Sequence, residues 1–327
     1  FSKLIGEWYC RAFFEQHDYF GLGAGNVTFV TQRMVPCMDG EGKFMLESPA
    51  RLAMNPNGHG GCIPAMVENG ILKDARRRGV DLLAYFQVDN WAVKVTDPFS
   101  VGYHVLRQAE MSSKNHRKRE PREAVGVHCL GDGHYRVIEY SELDIYPQLL
   151  ETDEHGQLRY YAGNPAIHML SVDFVQRVYD HFEEFPWHKA FKKVPYVNGT
   201  GELVKPEKPN AYKFETFVFD ALRFTRHAPV ALEIAPPGEY TPIKQPTGAN
   251  SVAGALATMR EYWGDWLESA GCVVPRGADG KVSVDIEISP EFALYKDEFA
   301  EKTRGYAWPA SGPIVVDPEG QLVRGRG

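Results

Sequence analysis

One carboxylate, Asp89, stands where it can do chemistry. It interrupts an apolar run, Leu82 to Val95, which reads LLAYFQVDNWAVKV. A run of this kind, rich in β-formers, predicts a buried strand. A carboxylate at the end of such a strand is expensive to bury unless something positive meets it. In open α/β sheets, ligands bind beyond the carboxyl ends of the strands. Asp89 is therefore a candidate metal or phosphate-handling residue, with a solvated turn acid as the competing reading.

Other side chains offer recognition rather than reaction. Gln32, at the end of an expected strand, can give both donor and acceptor to a flat heterocycle. Met54 to Gly61, MNPNGHGG, is a Gly-rich loop ahead of a helical segment. Its backbone N–H groups can cradle an anion or let a base approach closely, although its spacing matches neither the P-loop nor GxGxxG. Gly126 inside a strand suggests close approach of a ligand or another backbone. Glu139 could accept hydrogen bonds from sugar hydroxyls or pair with a cation. The amide of Asn164, at a Gly-Asn-Pro break, could satisfy backbone or ligand. Phe217 and Phe219 could wall a pocket or simply fill the core. Lys244 is a lone lysine closing the extended stretch EYTPIK.

The elements that must position these groups follow from periodicity. Residues 3–17 have helical spacing, and 26–32 alternate as a strand. A short hairpin turns at Asp39-Gly40, and a helix is expected over about 63–78. Asp97-Pro98 opens a helix as N-cap and first turn, which runs to about 110. Residues 112–122, SSKNHRKREPR, read as a solvated basic loop. Gly131-Asp132-Gly133 joins 124–130 and 135–140 as a hairpin. A helix over 172–182, a loop over 189–208 and an apolar helix over 212–224 come next. A strand at 230–234 and a long helix at 251–270 complete the first part. The alternation predicts an α/β fold with a mixed sheet flanked by helices. A domain over 1–271 and a small C-terminal β-rich subdomain over 272–327 are expected.

Composition narrows the classes. The chain has 327 residues, 43% hydrophobic and 24% charged, as an ordinary globular protein does. A net charge of −7 argues against general nucleic-acid binding. No apolar run has membrane-spanning length, and no secretory signal opens the chain. Cys10, Cys37, Cys62, Cys129 and Cys272 form no CxxC pair, which predicts a reducing, cytoplasmic setting without a zinc site. The histidines lack HExxH spacing, against a zinc hydrolase.

Taken in order, several stretches resemble the eukaryotic-type UDP-N-acetylhexosamine pyrophosphorylases of the UDP-sugar pyrophosphorylase superfamily. They are FEQHDYFGL (14–22), QRMVP (32–36), MNPNGHGG (54–61), VDNWAVKV (88–95), VGVHC (125–129) and VIEYSE (137–142). AGNPAIH (162–168), KKVPY (192–196), KPN (208–210), FVFD (217–220) and YTPIK (240–244) continue the series. The resemblance implies an SpsA-GnT-I-like, Rossmann-related fold. It implies transfer of uridylyl from UTP to a sugar 1-phosphate, giving UDP-sugar and pyrophosphate, with Mg²⁺ as cofactor. By position, Gln32 and Gly58 would read the uracil, with His59 in the same loop. Asp89 would hold Mg²⁺, and Lys244 would bind the sugar phosphate. Gly126, Glu139 and Asn164 would contact the sugar, and Phe217 and Phe219 would wall its N-acetyl side. The partners implied are small molecules only, and no oligomeric state is implied. His59 stands where acetylhexosamine enzymes usually carry asparagine, which keeps open a UDP-glucose or broad-specificity enzyme. The family's LxGGxGTRLG loop is not in the sequence. It is expected upstream of Phe1, so this chain alone is expected to turn over poorly. A non-catalytic UDP-sugar-binding remnant is the third reading.

Overall fold

The structure, a computed structural model, describes residues 3–309 and 311–323, and at 3–6 the backbone only. The outer ends of the two expected domains, 1–2 and 324–327, lie outside the described residues. A six-stranded mixed sheet organises the molecule. Its strands are β1 (Leu82–Tyr85), β2 (Met111–Arg117), β3 (Gly126–Gly131), β4 (His134–Ile138), β5 (Ala162–Ser171) and β6 (Val230–Ile234). β5 is the hub. It pairs antiparallel with β2 along one edge, and with β1 and then β3 along the other. β6 lies parallel to β2, and β4 folds back on β3 as the expected hairpin.

The helices are α1 (Lys3–Gln16), α2 (Cys62–Glu68), α3 (Ile71–Arg77), α4 (Pro98–Leu106), α5 (Val172–Asp180), α6 (Val252–Ser269) and α7 (Lys296–Lys302). Ile63 of α2, Leu72 of α3 and Phe174 of α5 share one core with Met111 and Leu170 of the sheet. Each such side chain, fully buried, contributes about 1.5–3 kcal/mol. A second core joins Trp266 and Leu267 of α6 to Ile286, Phe299 and Ile314. It lies beside a small three-stranded sheet of Ile286–Ile288, Ile314–Val316 and Leu322–Val323.

Several expectations are corrected. The apolar run at 82–95 is a strand only over β1, and Val88 is exposed. Residues 27–33 form no strand. The helix expected over 63–78 is two helices, parted at Gly70, whose φ of 75° is left-handed. Residues 212–224 are a strand, Ala211–Glu215, followed by a 3₁₀ turn, Val218–Phe224. The loop over 189–208 contains the strand His188–Lys192, paired with Ala211–Glu215.

The largest correction is the basic loop at 112–122. Its first half is β2, a buried strand between β5 and β6. The run MSSKNHR carries no apolar pattern because its burial rests on paired polar groups. Ser112 meets His104, Ser113 meets His168, Asn115 meets His128 and His116 meets Glu123. Lys114, 2% exposed, is paired with Asp97 and Glu239. The expected N-cap does form: Asp97 Oδ1 accepts from the Phe99 N–H at 3.0 Å.

Candidate functional site

The site exists because β5 bulges. Its register slips between Gly163 and Ile167. Asn164 stabilises the irregularity, its Oδ1 accepting from the Ala166 N–H at 2.8 Å while Ala166 takes a φ of 58°. A non-glycine residue there is strained and needs such support. Along the same edge, β1 stops at Tyr85 opposite His168, and β3 starts at Gly126 opposite Asn164. A cavity of about 400 Å³ opens beside this break. Asp89, Gly126, Glu139, Asn164, Phe217, Phe219, His59 and Lys244 all line it.

Asp89 sits beyond β1 in a loop held by its neighbour. Asn90 is 2% exposed. Its amide donates to the Glu239 carbonyl at 2.8 Å, and its Oδ1 accepts from the Thr241 N–H at 3.0 Å. The Ile243 N–H donates to the Asp89 carbonyl at 2.8 Å. These bonds bring Lys244 beside Asp89, with Nζ 3.4 Å from Oδ2. Burial works against charge on Lys244, but Tyr240 and Asp89 outweigh it and raise its pKa. The lysine is thus a cation at neutral pH.

Gly126 is required by contact. A Cβ there would lie 2.7 Å from Val137 Cγ1 and 3.2 Å from Glu139 Oε1. Burial, reinforced by Glu142, pushes the Glu139 carboxyl up to about 7. The Asn164 Nδ2 is buried with no hydrogen-bond partner among the described residues. An unmatched buried donor is costly, and one beside a cavity is suited to a ligand.

Phe217 and Phe219 form the apolar wall, with ring centroids 5.2 Å apart. His59 stacks on Phe217 at 5.0 Å. Burial, then the field of His188, lowers its pKa to about 4, so it is neutral. The Val218 N–H donates to His59 Nδ1 at 3.0 Å. Nδ1 therefore carries no proton, and Nε2–H is the donor left over.

Gln32 and Gly58 meet each other but do not line the cavity: the Gln32 amide donates to the Gly58 carbonyl at 3.1 Å. Nor is the Gly-rich loop an open anion cradle. The Gly60 N–H is spent on the Thr216 carbonyl at 2.8 Å, and that of Gly61 on Gly58 at 3.1 Å. A Cβ on Gly58 would lie 2.3 Å from the Thr216 oxygen. These glycines let the loop lie flat against 214–217.

His188, Glu142 and Tyr240 also line the cavity. His188 Nε2 lies 2.9 Å from Asp220 and Nδ1 3.3 Å from Glu142. Burial opposes charge on this ring, but the hydrogen bonds to Asp220 and Glu142 prevail and raise its pKa to about 10. The alternation of HKAFK puts His188, Ala190 and Lys192 on one face; all three line the cavity, and Lys189 joins them from the strand's other face.

Among the described residues, no three His, Cys, Asp or Glu side chains cluster to hold a metal. Asp89, half-buried and lining the cavity, offers a hard oxygen donor beside Lys244. That suits Mg²⁺ completed by substrate phosphates, and not a closed protein cage.

The family described as "UTP--glucose-1-phosphate uridylyltransferase" matches residues 12–259. The chain is 37% identical over 325 residues to the human UDP-N-acetylhexosamine pyrophosphorylase-like protein 1, covering 94% of this chain and 63% of that protein. It is 34% identical over 313 residues to the UDP-N-acetylglucosamine pyrophosphorylase of Saccharomyces cerevisiae, covering 93% and 64%. The chain thus spans less than two thirds of the length of these relatives. In fold it is similar to the Trypanosoma brucei uridine diphosphate N-acetylglucosamine pyrophosphorylase solved with an inhibitor. The TM-score is 0.77 at 24% identity, over 95% of this chain and 65% of that one. Since the family match runs through most of the chain and takes in every residue named around the cavity, the protein belongs to the UTP–glucose-1-phosphate uridylyltransferase family.

Proposed function

We propose that this protein is a uridylyltransferase that forms a UDP-sugar and pyrophosphate from UTP and N-acetylglucosamine 1-phosphate. The observation that carries the reading is convergence: Asp89, Gly126, Glu139, Asn164, Phe217 and Lys244 come from six separate segments to one cavity. The mixed sheet flanked by helices supports an SpsA-GnT-I-like fold, and the second core supports a C-terminal subdomain over 272–327. Five free cysteines support a cytoplasmic setting. No helix among the described residues is long and apolar enough to cross a membrane.

In the reaction, an oxygen of the sugar phosphate attacks the α-phosphorus of UTP and pyrophosphate leaves in line. No protein nucleophile is needed, since positioning and charge neutralisation supply the catalysis. Lys244 would hold the sugar phosphate, exchanging Asp89 for a phosphate oxygen. Asp89, so released, would hold Mg²⁺, which would neutralise charge on the phosphates. Glu139 and the free Asn164 amide would take the sugar hydroxyls. Phe217 and Phe219 would face the acetyl group, and Gln32 with Gly58 would meet the uracil from beside the cavity.

A second reading has its own support. His59, stacked on Phe217, puts an Nε2–H where an asparagine is usual, and favours a UDP-glucose or broad-specificity enzyme. Calorimetry with UDP-N-acetylglucosamine and UDP-glucose separates the two. Pyrophosphate release from UTP, Mg²⁺ and each sugar 1-phosphate is measured beside it. Tighter binding of the acetylated sugar supports the first reading, and preference for glucose supports the second. Binding of neither sinks both.

A further inference from the structure

Three carboxylates, Glu139, Glu142 and Asp220, gather near Phe217. Glu139 and Glu142 line a site read as binding a phosphate-bearing ligand, and Asp220 lies behind His188. His188 is set between two of them. Its two ring nitrogens each face a carboxylate oxygen, Glu142 Oε1 at 3.3 Å and Asp220 Oδ2 at 2.9 Å. Ionised carboxylates only accept hydrogen bonds, so two such contacts need two N–H groups. The side chains are 19%, 28% and 10% exposed for His188, Glu142 and Asp220, enough shielding for the pairing to hold its geometry.

Each partner governs a different wall. The second oxygen of Glu142 accepts from the Glu139 N–H at 3.2 Å, which sets the end of β4 where Glu139 enters the cavity. Asp220 lies in the 3₁₀ turn that follows Phe217, and its N–H donates to the Phe217 carbonyl at 3.0 Å. His188 itself begins the strand His188–Lys192 and packs on the Phe217 ring at 4.5 Å. One ring thus ties three segments that are remote in sequence.

We propose that His188 is a positioning residue, an imidazolium clamp between Glu142 and Asp220 that sets Glu139 and the Phe217–Phe219 wall to receive the sugar half of a UDP-sugar. The proposal rests on the reading of the cavity as a UDP-sugar site. It differs from a general structural role in one respect: the sugar half depends on the clamp, and the uridine half does not.

The test compares UDP-N-acetylglucosamine with UDP by calorimetry on the wild type and on His188→Phe, which keeps the ring packed on Phe217 but removes both donors. The UDP-sugar is expected to bind roughly 10–100-fold more weakly, as for the loss of a charged hydrogen bond, with UDP affinity unchanged. His188→Gln, which restores one donor, is expected to recover part of the loss. Adding Asp220→Asn to His188→Phe is expected to cost nothing further, because the clamp acts as a unit. Unchanged UDP-sugar affinity, or equal loss of both ligands, overturns the proposal. Nitrogen NMR of the wild-type ring tests the clamp without any ligand: both nitrogens should stay protonated at pH 8, and a neutral ring overturns it. Failure of the wild type to bind UDP-N-acetylglucosamine sinks the underlying reading instead, and the NMR result tells the two failures apart.

Discussion

Among the lysines that meet carboxylates, Lys114 and Lys244 do opposite things. Lys114 is buried in β2 between Asp97 and Glu239, with side chains 3%, 4% and 12% exposed. Lys244 meets Asp89 at 3.4 Å with side chains 49% and 28% exposed. The chemistry of the pairs is the same, and the surroundings decide the outcome. Removing a charge from the buried group strands its partners in a poor solvent. The exposed pair is worth little as a bond, so its members are free to exchange partners. The two sites are also joined. Glu239 and Lys244 sit on one connection, fixed at Glu239 by Lys114 and at Thr241 by Asn90. Tyr295, from the C-terminal part, donates to Asp97 and extends the locked end. The connection is anchored at Glu239 and Thr241 and presents the more exposed Lys244 side chain, the group proposed to meet a phosphate.

The comparison is most easily broken at Lys114. Lys114→Met should lower the free energy of unfolding by about 3–5 kcal/mol, since Asp97 and Glu239 remain buried without a cation. Urea denaturation measures this, and a loss below about 1 kcal/mol would mean the triad is not a structural lock. Lys244→Ala should leave stability within about 1 kcal/mol while slowing the proposed uridylyl transfer about 10²–10³-fold, the scale for one electrostatic group acting on a transferring phosphate. A melting curve and a rate on the same sample check both halves. If Lys244→Ala unfolds as readily as Lys114→Met, the contrast between the sites fails.

A third substitution probes a region that is locked without charge. Gly58→Ala would drive a Cβ onto the Thr216 oxygen at a φ of 79°, and should destabilise by about 1–3 kcal/mol. If the glycines instead served an open cradle, stability would be unchanged and only nucleotide affinity would fall.

How far these roles could be read beforehand depended on what kind of burial each residue has. Val230–Ile234 announced itself as a strand because its burial is apolar, and the hairpin at Asp132-Gly133 because its turn is local. β2 did not, because SSKNH looks solvated until the histidines and carboxylates that satisfy it are in place. The cavity residues were legible as an ordered series of short stretches: Asp89, Glu139, Asn164 and Lys244 do come together. His188 carried no motif. Its meaning comes from Glu142 and Asp220, each more than thirty residues away, which only the tertiary fold brings within hydrogen-bond reach. The glycines of 58–61 suggest an anion cradle or close approach of a base, but what they approach is the backbone at Thr216, which no local pattern reveals.

Glu139 lies between the two lysine sites in character, and its effect should be the smallest. It is shielded enough that burial and Glu142 raise its carboxyl from 4.5 to about 7, yet it opens on the cavity. A carboxyl raised on folding binds its proton more tightly in the native state. Stability should therefore fall as pH rises from 4.5 to about 7 and level off above that. Glu139→Gln removes the ionisation, so it should flatten this slope and gain on the order of 1 kcal/mol at pH 8. Urea midpoints at pH 5 and pH 8 for the two proteins measure the difference. The same substitution should weaken UDP-N-acetylglucosamine, because the amide accepts from sugar hydroxyls less well than a carboxylate. Wild-type affinity for that ligand should accordingly rise between pH 6 and pH 8, opposite in direction to stability. A site that loses stability as it gains affinity carries a charge held for the ligand. If both quantities moved together with pH, Glu139 would belong with Lys114 as part of the lock.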